Sequence, residues 1–161
     1  MKMIRDDRVK IFRDVCHSYP YYQAEIKRID DRLTILQNKM EGVYSPVTDR
    51  IGSTPTPHEQ DYITIIQQKE QLENLKQHYL DLIQWMMDVI DAIPSPAYRA
   101  LVWSTYVQRR SLQSVSDQYL VRKDSMYKIR KKHLDYVLND ERMEKYDEIM
   151  SRKPAGPETV Q

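Results

Sequence analysis

The basic side chains between Tyr106 and Leu138 are the residues of this sequence with the clearest chemical potential. Residues 97–138 contain nine Lys or Arg against three acids, a net charge of +6, whereas the remainder of the chain carries −5. Positive charge grouped in this way indicates an anionic partner for that segment. The apolar residues are spaced as a short helix, a tight turn and a second helix with a basic exposed face. That pattern is typical of a helix-turn-helix.

The helix-turn-helix pattern divides into three predicted helices. The first runs from Ala97 to Val107, and the second follows Ser111, whose side chain can cap it. Leu120–Val121 form the predicted turn, and the third helix runs from Arg122 to Leu138. Four apolar positions of the third helix are predicted to face inward: Met126, Ile129, Leu134 and Val137.

The polar positions that remain in this module are the candidate DNA contacts. Residues near the start of a recognition helix contact base edges, and basic residues elsewhere contact phosphates. The predicted base contacts are Lys123, Asp124, Tyr127 and Lys128. The predicted backbone contacts are Arg109, Arg110, Ser111, Arg130 and Lys131, and Arg122 completes the predicted set.

Two long stretches before this module carry apolar residues at heptad spacing. The first spans Tyr22 to Val43 in steps of four and three, and it predicts a helix over residues 20–40. The second predicts a helix from Thr56 or Pro57 to Ile93. Its residues at sevenfold spacing form the predicted oligomerisation seam: Ile65, Leu72, Tyr79, Met86 and Ile93. An antiparallel hairpin within one chain and pairing between chains are both compatible with this pattern.

The predicted fold is all-α, a long heptad-patterned helical hairpin (a coiled coil) followed by the helix-turn-helix. The predicted divisions are an N-terminal helix in residues 1–19, the hairpin in 20–94 with a loop at 44–58, and the helix-turn-helix in 95–138. A short acidic helix over 139–151 and a disordered tail over 152–161 follow. Pro94 and Pro96 mark the boundary before the helix-turn-helix, because proline interrupts a helix.

Several other classes of protein do not fit the sequence. No stretch approaches the roughly 20 apolar residues of a membrane span, and the lone Cys16 cannot form an internal disulfide. We therefore expect a cytoplasmic protein without membrane contact. The four histidines are far apart and lack the spacing of metal ligands, so no zinc site is expected. Paired acids such as Asp30 and Asp31 occur without a nucleophile, and we expect neither a catalytic site nor a cofactor.

The segment YVQRRSLQSVSDQYLVRKDSMYKIRKKHLDYVL, residues 106–138, resembles region 4 of bacterial sigma factors. The order of heptad-rich part, loop VYSPVTDRIGSTP and helix-turn-helix is similar to that of ArpU-type and sigma-like transcriptional regulators of phages and prophages of Gram-positive bacteria. This resemblance covers Tyr22 to Leu138 and implies control of late or packaging genes. Ser116 and Leu120 stand where such motifs usually carry a small residue and a glycine. Since leucine is strained at a positive φ, we expect a turn of different geometry.

The leading hypothesis is a sequence-specific DNA-binding transcriptional regulator, an activator of phage late genes that acts as a homo-oligomer through its heptad helices. The alternative is an interaction protein that binds host RNA polymerase or a sigma factor without contacting DNA itself. A third hypothesis is a purely architectural coiled-coil protein. Activation and repression are equally compatible with the sequence.

Overall fold

The computed structural model describes residues 5–44 and 56–154, and every element within these ranges is helical. The elements are α1 (Arg5–His17), α2 (Tyr19–Tyr44), α3 (Thr56–Asp91), α4 (Pro96–Val102), a π-helical turn (Trp103–Val107) that continues α4, α5 (Leu112–Tyr119), α6 (Lys123–Val137) and α7 (Asp140–Ser151). The predicted all-α class is confirmed for the described residues.

The helix boundaries agree with the predicted ones to within a few residues. Pro20 and Pro57 are the second residues of α2 and α3, and Pro96 is the first residue of α4. A proline is tolerated in the first helical turn because the N–H it lacks has no partner within the helix there. Most of the predicted loop at 44–58 and of the predicted tail at 152–161 lies outside the described residues.

The chain divides into two compact units. The C-terminal unit contains the described parts of residues 1–22 and 80–152, and the two-helix unit contains those of residues 23–79. This division differs from the predicted boundary at residues 94–95, because α1 and the end of α3 pack with the later helices. Periodicity identifies an apolar face, but it does not say which distant element covers that face.

The core of the C-terminal unit lies where α1, the end of α3, the π-helical turn and α6 meet. The Phe12 ring is fully buried and makes edge contacts with Trp85 and Tyr106, at centroid separations of 6.1 and 5.9 Å. Burial of one such ring stabilises a fold by about 1.5–3 kcal/mol. The other buried residues of this core are Val15, Cys16, Met86, Val89, Ile90, Ile93, Val102, Val107, Leu134, Val137, Leu138 and Met143.

The two helices of the two-helix unit are joined by polar contacts that run in opposite sequence order. Lys69 Nζ donates to Gln37 Oε1 at 2.8 Å, and Lys76 Nζ donates to Asp30 Oδ1 at 2.6 Å. A step of seven residues forward on α3 therefore corresponds to seven residues backward on α2, so the helices are antiparallel here. Among the residues of this unit whose side chains are described, the buried apolar ones are Ile29, Leu36, Ile65, Leu72, Leu75 and Tyr79.

The predicted oligomerisation seam of α3 lies against other parts of the same chain. Its five residues are between 0% and 8% exposed in the single chain, so packing within the chain already occupies them. The first three (Ile65, Leu72, Tyr79) are buried in the two-helix unit, whereas Met86 and Ile93 belong to the core of the C-terminal unit. A heptad pattern identifies a helix face that is buried, and the same pattern arises whether the partner is internal or a second chain.

Arg8 joins α1 to the junction between α6 and α7. Its guanidinium donates to the Leu138 carbonyl, just past the end of α6, at 2.9 Å and to Asp140 Oδ1 at 2.6 Å. Trp85 Nε1 of α3 donates to the Arg142 carbonyl of α7 at 2.8 Å. The end of α6 is thus held by hydrogen bonds as well as by apolar packing.

Substitution of Arg8 tests how strongly this contact holds α6. We expect Arg8→Met to lower the free energy of unfolding by about 1.5–3 kcal/mol, because a part-buried carbonyl is left without its charged donor. Asp140→Asn should cost less than about 1 kcal/mol, because the Asp140 carboxylate is 71% exposed and water screens the ion pair. Urea denaturation followed by circular dichroism measures both. Equal losses of stability would show that the ion pair, and not the carbonyl contact, is the stronger interaction.

Candidate nucleic-acid interface

Helices α4, α5 and α6 meet around a small apolar cluster. Leu101, Val115 and Met126 contribute one buried side chain from each helix, and Leu112 packs against them. Ser111 caps α5 as predicted, since its hydroxyl oxygen accepts the Ser114 backbone N–H at 3.1 Å. Such a cap contributes about 1 kcal/mol to a helix. The cluster and the cap together fix the start of α5 and of α6.

The turn between α5 and α6 contains a leucine in the left-handed conformation. Leu120 has φ 56° and ψ 37°, and its side chain is 92% exposed. The expectation that leucine would avoid a positive φ here is therefore wrong. Ser116 provides the physical reason: its carbonyl accepts the N–H groups of Leu120 and Val121, and its hydroxyl donates to the Val121 carbonyl. Hydrogen bonds from a single residue hold the turn in a geometry that glycine usually provides.

The exposed face of α6 carries five of the predicted contact residues. Lys123, Asp124, Lys128 and Lys131 are exposed, and the Tyr127 ring is 56% exposed. Asp124 lies in the first turn, where the free N–H groups and the helix dipole favour a carboxylate. Three lysines, one acid and one aromatic ring are therefore exposed along this helix.

The predicted contacts before α5 differ in their surroundings. Arg109 is exposed and has a positive φ of 57°. The Arg110 guanidinium donates to Ser114 Oγ at 2.9 Å and to Gln118 Oε1, so it lies along α5. Its backbone N–H donates to the Ser104 carbonyl at 2.9 Å. Of these two arginines, Arg110 is the one whose orientation is set by contacts within the protein.

Arg130 does not occupy the exposed position that was predicted for it. Its side chain is buried, and the guanidinium carbon lies 4.5 Å from the centre of the Tyr106 ring and 5.6 Å from that of Tyr127. These distances are typical of cation–π contacts. Arg130 follows Met126 by four residues and precedes Leu134 by four, so helical geometry places it on the buried face. The spacing alone therefore indicates that Arg130 is buried. The positive charge of the side chain led instead to the prediction of an exposed phosphate contact.

The π-helical turn supplies the aromatic partner of Arg130. Ser104, Thr105, Tyr106 and Val107 are four consecutive buried residues, so neighbouring elements cover this turn on more than one side. Burial raises the pKa of Tyr106, and the positive charge of Arg130 opposes that shift. The Tyr106 ring therefore stays neutral and presents an intact π-face to the guanidinium.

Two titratable residues of α1 lie near this aromatic group. Burial lowers the pKa of His17, and the charges of Arg109 and Arg13 lower it further, so the ring that contacts Tyr106 is neutral at neutral pH. Burial raises the pKa of the fully buried Cys16 thiol well above its ordinary value. A thiol in this environment is a packing residue and not a nucleophile.

A test of the strained turn follows from the exposure of Leu120. We expect Leu120→Gly to raise the free energy of unfolding by about 1 kcal/mol, because glycine adopts a positive φ without steric cost. Leu120→Ala removes the same exposed side chain but keeps the strain, and it should leave stability within about 0.5 kcal/mol. Chemical denaturation of both variants provides the comparison. Equal stability of the glycine and alanine variants would contradict the assigned turn geometry.

Comparisons with known proteins identify no relative of this chain, so its function is inferred from the sequence and the structure. No protein-family model, no curated protein and no solved structure matches this chain. Among the described residues, no helix has the length and apolar character that a membrane crossing requires. The same part of the chain contains no group of three His, Cys, Asp or Glu side chains that could hold a metal ion.

Proposed function

We propose that the protein is a sequence-specific DNA-binding transcriptional regulator that places α6 in the major groove of double-stranded DNA. The observation that carries this proposal is the exposed face of α6, with Lys128 and Lys131 beside Tyr127, and the exposed Lys123 at the start of the helix. An isolated basic helix is often only a solvated surface. Here it follows a capped helix and a short turn, in a segment whose +6 charge contrasts with the acidic remainder.

The proposed contacts divide by their chemistry. Lysine ammonium groups neutralise phosphates and supply affinity that depends on salt, whereas side chains in the groove discriminate bases. Asp124 can accept a hydrogen bond from a cytosine amino group, and the Tyr127 ring can contact a thymine methyl group. Arg109 and the start of α5 contact the backbone beside the groove. Arg130 no longer belongs to the phosphate contacts in this proposal.

The proposal includes two architectural features, a coiled-coil hairpin and a sigma-like helix-turn-helix. The antiparallel contacts of α2 and α3 support a coiled-coil hairpin, and the three-helix cluster supports a module like region 4 of sigma factors. Together with the resemblance to phage regulators, they support action on late genes in a bacterial cytoplasm. The heptad seam is buried within one chain, so the proposed homo-oligomer would pair through other surfaces of the protein.

A contact with host RNA polymerase or a sigma factor is the second candidate function. The observation that favours it is the apolar turn, where Tyr119 and Val121 are partly exposed and Leu120 is almost fully exposed. Contiguous exposed apolar side chains are typical of protein interfaces. Co-purification with polymerase after nuclease treatment, without affinity for any duplex, would favour this function over DNA binding.

Removal of two exposed lysines tests the DNA interface. The double variant Lys128→Ala/Lys131→Ala should weaken binding to a selected duplex and reduce the slope of log affinity against log salt by about 1 for each phosphate that is no longer neutralised. The matched control Lys39→Ala/Lys145→Ala removes the same charge from exposed positions on α2 and α7. Duplexes are selected from a random library, and affinity is measured by fluorescence anisotropy at several salt concentrations. Equal effects of the two double variants would exclude α6 as the DNA-contacting face.

Substitution of Arg130 distinguishes a positioning role from a phosphate contact. Since its guanidinium contacts Tyr106 and Tyr127, Arg130→Met should reduce discrimination between the best duplex and a single mismatch by about tenfold. The salt dependence of binding should stay unchanged, because the same phosphates remain neutralised. A decrease of about 1 in the salt slope, with discrimination intact, would instead restore Arg130 as a phosphate contact. Circular dichroism of the variant controls for unfolding.

A further inference from the structure

The last turn of α1 lies towards the start of α6. Arg8, in the first half of α1, donates to the carbonyl of Leu138, just past the end of α6. The ring of His17, the last residue of α1, contacts the Tyr106 ring at a centroid separation of 6.4 Å. Tyr106 in turn contacts the guanidinium of Arg130, which lies in the middle of α6. Helix α1 therefore runs antiparallel to α6, and its end approaches the half of α6 that carries the proposed base contacts.

Arg13 lies on the flank of α1 that faces this aromatic group. It is exposed, and it precedes His17 by four residues, so the two side chains share one face of the helix. Burial lowers the pKa of His17, and the charges of Arg109 and Arg13 lower it further. Burial raises the pKa of Tyr106, and the charges of Arg130 and Arg13 oppose that shift. Groups in two different elements respond to Arg13, so its charge is close to Tyr106 and on the same side as the exposed Arg109.

The acidic residue beside Arg13 lies on another flank of α1. Asp14 follows Arg13 directly, so about 100° of helical rotation separates the two side chains. Burial raises the pKa of Tyr146 of α7, and the charges of Asp147 and Asp14 raise it further. On His17, the charge of Asp14 acts more weakly than that of Arg13. Asp14 is therefore turned towards α7, and the flank of α1 beside the helix-turn-helix is basic.

We propose that Arg13 contacts a DNA phosphate beside the groove that receives α6, so that α1 extends the interface onto a segment remote in sequence. This inference rests on the proposed DNA-binding function. A helix in the major groove is flanked by phosphates on both sides, because the groove is roughly 12 Å wide. The Tyr106 ring contacts Arg130, and Arg130 contacts the exposed Tyr127 ring, so this flank of α1 borders the exposed face of α6. A guanidinium beside the groove contacts phosphate oxygens and not base edges.

The charges on this flank favour an anionic partner. An exposed arginine on a helix is often only solvated, but Arg13 and Arg109 both act on one histidine and disfavour its charged form. Like charges near one another repel, and a phosphate bound beside them removes that repulsion. Arg13 therefore supplies, from outside the helix-turn-helix, the kind of phosphate contact that the buried Arg130 does not make.

Arg13→Ala in the full chain tests the contact, with a duplex selected from a random library. We expect weaker binding and a decrease of about 1 in the slope of log affinity against log salt, because one phosphate is no longer neutralised. Arg13→Lys keeps the charge and should retain the slope. Lys145→Ala, at an exposed position of α7, is the matched control and should leave the slope unchanged. An unchanged slope in Arg13→Ala, or an equal decrease in Lys145→Ala, would overturn the proposal.

Ethylation of single phosphates locates the contact. Ethylation of the phosphate that Arg13 contacts should weaken binding of the unmodified chain and have no further effect on Arg13→Ala, while interference at the other phosphates persists. Identical interference patterns for the two proteins would refute the assignment. Circular dichroism of the variant controls for unfolding.

The variant Lys128→Ala/Lys131→Ala separates this inference from the proposed function. If that double variant weakens binding to the duplex and Arg13→Ala does not, the inference about α1 fails and the DNA-binding function stands. If the chain binds no duplex at all, both fail. Weaker binding in both variants, with a lower salt slope in each, supports both.

Discussion

Helix α6 has one face that must be buried, and the exposure of every other residue on it follows from this constraint. Met126, Leu134 and Val137 are almost completely buried at spacings of eight and three residues. Two separate groups of helices cover this face: α4 and α5 at its start, and α1 with the end of α3 further along. Because the helix is packed at both ends, it cannot rotate. Lys128 and Lys131 are consequently held towards solvent.

Arg130 lies between these two packed regions, at a position where the helix requires burial and the residue carries a charge. Desolvation of a guanidinium is costly unless a partner compensates for it. The aromatic faces of Tyr106 and Tyr127 provide that partner, at about 0.5–2 kcal/mol for each cation–π contact. A leucine would pack here at lower cost. The arginine instead couples the exposed Tyr127 ring to Tyr106 and, through it, to Phe12 of the core.

Local signals in the sequence were sufficient for most helices and for the exposed face of α6. Prolines in first turns, the Ser111 cap and the spacing of Met126, Leu134 and Val137 are all properties of short segments. The errors have three different sources: long-range packing, the hydrogen bonds of the turn and the charge of Arg130. The heptad residues of α3 gave no sign that their partners belong to the same chain. The turn prediction treated Leu120 alone, whereas Ser116 and its hydrogen bonds decide the geometry.

The strained turn adjoins the small apolar cluster that joins α4, α5 and α6. Tyr119 and Val121 are partly exposed, and the residue between them is the strained Leu120. The stability of the C-terminal unit comes instead from the core around Phe12 and from the contacts of Arg8 and Trp85. This division leaves α5 and the start of α6 with two buried apolar side chains, Val115 and Met126. Segments with few buried contacts open at the lowest free energy. A conformational change on binding a partner is therefore expected in α5 and the start of α6, and not in the core around Phe12.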